Sequence, residues 1–144
     1  MKLFKVLLAV VILLNGLLTL NACQIESPIE NYNWILISYG EFSHVQTPLE
    51  GTEISIFFDS EGKIVSGSGG CNHYSGTYEI DGLSLSIDER MAVTEMWCGE
   101  EIGEQERQYF EALQAAHSFK LEHGNLIIYG SMHKLIYMRQ EEGE

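Results

Sequence analysis

An unbroken apolar run from Val6 to Leu14 opens the chain, and past Asn33 the apolar residues come in short groups. Trp34-Ile35-Leu36-Ile37 shows no alternation, which predicts a strand covered on both sides. Gly40–Gly51, with Pro48 and scattered polar residues, reads as loop. Glu53–Phe58 alternates, Asp59-Ser60-Glu61-Gly62 breaks the pattern and Lys63-Ile64-Val65 resumes it, as in a hairpin. Ser66–Gly70 is glycine-rich, and Tyr74–Ile80 predicts another strand. Asp81-Gly82 is a two-residue hairpin signal, after which Leu83–Ile87 alternates cleanly. Met91–Trp97 reads as a further strand. The spacing then turns helical over 101–116: Ile102, Tyr109, Leu113 and Ala116 share one face, with Phe110 beside it. Glu100, Glu101 and Glu104 stand near its start, where the helix dipole favours acids. Phe119–Leu121, Leu126–Tyr129 and Leu135–Met138 supply the closing strands, with turns at Gly124-Asn125 and Gly130-Ser131. The pattern predicts an α+β fold, mostly β. It is a small antiparallel barrel-like or strongly curled sheet, with one helix covering an open side or plugging one end. Trp34, Phe57, Phe58, Tyr74, Tyr78, Trp97, Tyr109 and Phe110 are expected mainly in its core.

The first apolar run has a different meaning. Lys2 and Lys5 precede it, Asn15 and Gly16 break it, and Leu20-Asn21-Ala22-Cys23 follows. That order predicts a secretory signal peptide over residues 1–22. The apolar stretch, about 15 residues, is shorter than the ~20 a spanning helix needs. A small residue before a cysteine, with leucine three places back, resembles the lipobox of bacterial lipoproteins. The resemblance implies cleavage before Cys23, acylation of Cys23 and attachment to a membrane. Gln24 in place of Asp implies, by the same analogy, an outer membrane address facing the periplasm in a bacterium with two membranes. Residues 23–33 are then a lipid-anchored tether, 34–139 the globular domain and 140–144 an acidic tail.

The precursor carries 8 basic and 21 acidic residues, and losing Lys2 and Lys5 with the signal lowers its net charge from −13 to −15. Such a surface repels nucleic acid and anionic lipid head groups and argues against a phosphate site. With Cys23 acylated, Cys71 and Cys98 remain, and an oxidising compartment favours their pairing as a disulfide. The closed loop, Cys71 through Cys98, would stabilise the fold by roughly 3.5 kcal/mol in the chain-entropy account. Two free buried thiols, or metal or redox chemistry, are the alternatives.

Catalytic patterns do not assemble. Gly67-Ser68-Gly69-Gly70 lacks the Lys-Ser/Thr ending of a phosphate loop and leads into a strand, which suits a bulge, a sharp bend or close backbone approach. Cys71, His73 and Cys98 lack a Cys-x-x-Cys partner pair, and His44, His117, His123 and His133 are scattered, so no metal site is expected. Asp59, Asp81 and Asp88 all lie in or beside turns, and no serine stands in a strand-to-helix Gly-x-Ser-x-Gly. No enzymatic activity and no cofactor are expected. A small barrel can hold an apolar cavity for one ligand, such as an acyl chain.

Ser66-Gly67-Ser68-Gly69-Gly70-Cys71-Asn72-His73-Tyr74-Ser75-Gly76-Thr77-Tyr78 resembles the signature of the META domain, the family of the HslJ-like heat-inducible envelope proteins. Leu85-Ser86-Ile87 and Met91-Ala92-Val93-Thr94-Glu95-Met96-Trp97-Cys98 are similar to that family's second block, and Trp34 and the Glu104–Leu113 helix fit. The resemblance implies a β-rich, barrel-like sheet with a helix and an association with envelope stress. It implies no catalytic residues. Cys71 and Cys98 are the matching cysteines, Gly69, Gly70 and Thr94 belong to the matching blocks, and Asn72 is expected to satisfy backbone groups around Cys71. Together these readings predict a lipid-anchored, non-enzymatic envelope protein that binds a protein partner or an apolar ligand. The other expectations are a stress-protective module without a specific ligand and, behind it, a metal-dependent enzyme.

Overall fold

The structure, a computed structural model, describes residues 27–141. The segment expected to be a signal peptide, Cys23, the first residues of the expected tether and the end of the acidic tail lie outside the described residues. The elements are β1 (Asn33–Glu41), β2 (His44–Gln46), β3 (Ile54–Asp59), β4 (Ile64–Gly69), β5 (His73–Asp81), β6 (Ser84–Ile87) and β7 (Ala92–Val93). They continue with α1 (Glu100–Gln114), β8 (Ser118–Glu122), β9 (Asn125–Tyr129) and β10 (His133–Arg139).

All ten strands join one antiparallel sheet in the order β10-β9-β8-β6-β5-β4-β3-β1-β2, with β7 on β5. β10 also pairs with β1, from Trp34 opposite Arg139 to Glu41 opposite His133, so the sheet curls into a ring. Its thinnest seam is between β6 and β8, which meet at Ser84 and Ser118. The predicted curled, mostly β architecture is therefore found. The alternation seen in the sequence explains its interior. Ile54, Ile56 and Phe58 of β3, Tyr74 and Tyr78 of β5, and Leu85 and Ile87 of β6 are buried, their neighbours less so. Each large apolar side chain so covered contributes on the order of 1.5–3 kcal/mol.

Both ends of the ring are closed. At one, the helix end, α1 crosses the opening and buries Tyr109 completely. The Tyr137 hydroxyl of β10 donates to that of Tyr109 at 3.2 Å, the Tyr109 and Tyr74 hydroxyls lie 2.8 Å apart, and Tyr74 donates to the Ser55 carbonyl at 3.0 Å. Burial pushes all three phenols up, Tyr109 to about 12, so the cluster is neutral and fully hydrogen-bonded at any physiological pH.

The opposite, hairpin end carries the β3–β4, β5–β6 and β8–β9 turns. Here residues 27–32 close the ring, and this corrects the tether drawn over 23–33. Ile29 is fully buried, and its carbonyl accepts from Trp34 Nε1 at 2.9 Å. Glu30 is buried beside it and accepts from Lys63 Nζ at 2.7 Å, from the Ser27 N–H at 2.8 Å and from the Tyr78 hydroxyl. A polar-looking stretch is thus part of the domain because its one large apolar residue fills the ring and its acid finds three donors.

Three further expectations change. The loop predicted over Gly40–Gly51 contains β2, which pairs with the end of β1. The strand predicted over Met91–Trp97 shrinks to Ala92–Val93. Trp97, expected in the core, is 82% exposed.

Glu30 makes the stability pH-dependent. Burial raises its pKa, but the bonds from Lys63, Tyr78 and Ser27 outweigh that and hold it below the ordinary 4.5. A depressed folded-state value means the contribution is complete above pH 4.5 and is lost as pH falls through the folded pKa. Urea midpoints measured from neutral to acidic pH should therefore fall more steeply for the wild type than for Glu30→Gln. Parallel curves would contradict the assignment.

Candidate functional site

At the helix end the chain passes from β4 into β5 through Gly70, Cys71 and Asn72, and from β7 into α1 through Thr94–Gly99. The two passages are joined side by side. Cys71 and Cys98 bring their Sγ atoms to bonding distance, 1.91 Å, with Cα atoms 5.9 Å apart. Asn72, almost fully buried, binds the second passage with both ends of its amide. Its Oδ1 accepts from the Thr94 hydroxyl at 2.9 Å and from the Met96 N–H at 2.7 Å, and its Nδ2 donates to the Met96 carbonyl at 3.3 Å. Thr94 also pairs with His73, accepting at Oγ1 from its N–H and donating its own N–H to the His73 carbonyl.

The helix fastens the same loop from within. Glu106 is buried, and its carboxylate accepts from the Asn72 N–H at 2.6 Å and from Asn72 Nδ2 at 2.7 Å. Gln105, also buried, accepts from the Leu49 N–H at 2.6 Å and donates to the Thr52 hydroxyl at 3.0 Å, tying down the β2–β3 loop. The glycines make room for this. A Cβ on Gly69 would come within 2.6 Å of Glu106 Oε1 and 2.8 Å of the Phe110 ring. Gly70 turns the chain at φ 101°, a conformation L side chains rarely adopt. The expectation of close backbone approach and a bend in the glycine run is met at these two positions.

The structure thus gathers Gly69, Gly70, Cys71, Asn72, Thr94 and Cys98 at one place, while Cys23 lies outside the described residues. Sequence reading missed Glu106, although it stands three and seven residues before Tyr109 and Leu113 on the buried stripe of the helix, where an acid signals a specific partner. It also missed the surface that the network supports: Trp97 is 82% exposed and Met96 55%. The two are held between the cross-linked Cys98 and the bonds from Asn72 to Met96. Each carboxylate oxygen of Glu106 accepts one hydrogen bond from Asn72. Among the described residues no three His, Cys, Asp or Glu side chains converge as metal ligands.

The ring interior is filled by Trp34, Phe58, Tyr109, Tyr137 and their neighbours. Open space lies outside it, in a groove of about 490 Å³ along the β6–β8 seam lined by Ile80, Leu85 and Ala116. A second recess, of about 740 Å³, lies between α1 and the Tyr39–His44 and Ser131–His133 segments.

The fold is similar to that of solved structures. A protein from Burkholderia xenovorans, determined by NMR, superposes with a TM-score of 0.67 at 22% identity, over 79% of this chain and 85% of that one. A DUF4847 family protein from Bacteroides vulgatus superposes with a TM-score of 0.56 at 12% identity, over 81% of this chain and 97% of that one. At these identities the likeness is one of fold. No curated protein matches the sequence. The family model of the META domain matches residues 27–142, beginning at the segment that plugs the hairpin end and spanning the Cys71 and Cys98 passages, and the chain belongs to the META domain family.

Proposed function

We propose that this chain is a lipid-anchored, non-enzymatic envelope protein whose META domain binds a protein partner through the tip formed by Met96 and Trp97. The observation that carries the reading is the exposure of Trp97 on a segment fixed at both ends. A tryptophan left in water on a rigid support loses little conformational freedom on binding, and such residues dominate the energetics of protein interfaces. The competing expectation, an apolar ligand inside the ring, is disfavoured because side chains fill that space. Among the described residues no helix is long and apolar enough to cross a membrane, so attachment in this reading rests on acylated Cys23.

The test places a photo-crosslinking residue at exposed Glu95 and irradiates whole envelopes. One discrete adduct is expected, and Trp97→Ala in the same background should weaken it about 30-fold, equivalent to the ~2 kcal/mol of a typical hot spot. An adduct indifferent to Trp97→Ala would refute the tip as the binding surface. A complete lack of discrete adducts would favour a protective module without a specific partner.

A further inference from the structure

We infer that the hairpin end of the ring rests on the phospholipid bilayer, with the exposed side chains of Leu83, Tyr32 and Met138 at the interface, and that the Trp97 tip points away from the membrane. This deepens the proposed function and rests on its acylated Cys23. The argument starts from chain length. Because residues 27–32 plug the ring, Ser27 is already fixed to the domain through Glu30, which Lys63 and Tyr78 hold at the hairpin end. Only four residue steps separate Cys23 from Ser27, a reach of at most about 14 Å even when fully extended. A tether running to residue 33 would reach about 35 Å, and the shorter one keeps the hairpin end closer to the anchor than the tip.

β5 measures the distance to the other end. It runs from His73, next to the Cys71 passage, to Asp81, next to Leu83, and its nine residues span roughly 30 Å. The tip and the Leu83 turn therefore stand at opposite ends of one strand. With the hairpin end held near the lipid, the tip stands clear of the head groups.

The hairpin end exposes apolar side chains among acids, with Glu61, Asp81 and Glu122 exposed at its three turns. Leu83 is 65% exposed at the apex of a turn, Met138 is 48% exposed, and Tyr32 stacks under the Arg139 guanidinium 3.4 Å from its ring. Apolar side chains with a tyrosine and an arginine at their edge suit the boundary between head groups and acyl chains. The acidic charge of the domain disfavours anionic lipid, so the contact is made best on zwitterionic lipid.

Acylated protein taken from cell membranes, reconstituted into vesicles of brominated phosphatidylcholine, tests this through short-range quenching of tryptophan emission. Three proteins are compared: the wild type, Trp97→Phe, and Trp97→Phe combined with Leu83→Trp. Buried Trp34 is common to all and is subtracted using Trp97→Phe. The tryptophan introduced at 83 should be quenched several-fold more than native Trp97. Equal quenching, or stronger quenching of Trp97, in protein that floats with the vesicles overturns the orientation and leaves the anchor standing. Protein whose Cys23 peptide carries no acyl mass and which fails to float overturns the anchor reading, and the orientation with it.

Discussion

Cys71→Ala combined with Cys98→Ala is expected to lower the unfolding free energy by about 3.5 kcal/mol, because the unfolded chain regains the freedom of a 28-residue loop. The folded state should lose little else, since Asn72 still holds Thr94 and Met96. For a domain whose whole stability is on the order of 5–15 kcal/mol, that is a large fraction. Urea denaturation of the oxidised wild type, the reduced wild type and the double variant measures it. The last two should coincide and lie well below the first. Coincidence of all three would mean that the cross-link contributes nothing.

Asn72→Ala should cost about 3 kcal/mol by a different route, that of unmade hydrogen bonds. Truncation strips one donor, Nδ2, from the buried Glu106 carboxylate while the backbone N–H at position 72 stays, and it removes the amide partner of Thr94 and Met96. The loss should be non-additive with Glu106→Gln, because both act on one network. A double-mutant cycle by thermal or urea unfolding reads this directly. Independent, additive losses would show that Asn72 and Glu106 do not work as a unit. Because Asn72 and the cystine hold the same tip from two sides, either variant should also weaken the Glu95 crosslink while Trp97 is still present.

The parts of the fold visible in the sequence were those in which burial repeats at a fixed period. Ile54, Ile56 and Phe58 alternate, as do Leu85 and Ile87, and the Asp81-Gly82 turn joins β5 to β6 where the pattern requires it. Tyr109 and Leu113 mark the buried stripe of α1 in the same way. What escaped was set by partners distant in sequence. Ile29 and Glu30 look like tether until Trp34, Lys63 and Tyr78 are brought around them by ring closure. Gln105 and Glu106 look like solvated helix until Leu49, Thr52 and Asn72 arrive beneath them. Trp97 looks like core because Met91, Ala92, Val93 and Met96 lead up to it, yet Asn72 binds the backbone of Met96 and the following side chain stands outward. Cys71, Asn72, Thr94 and Cys98 could be named from the sequence as a matching set. Their convergence around one exposed segment depends on contacts between residues distant in sequence.

The account stands on the tip being closed by a cystine in the protein as it exists in the cell. Protein taken from its native cells, alkylated under denaturing and non-reducing conditions and then digested, gives the answer by mass. The account predicts the Cys71 and Cys98 peptides linked to one another and free of alkyl label. Recovery of both peptides separately, each carrying one label, would contradict it.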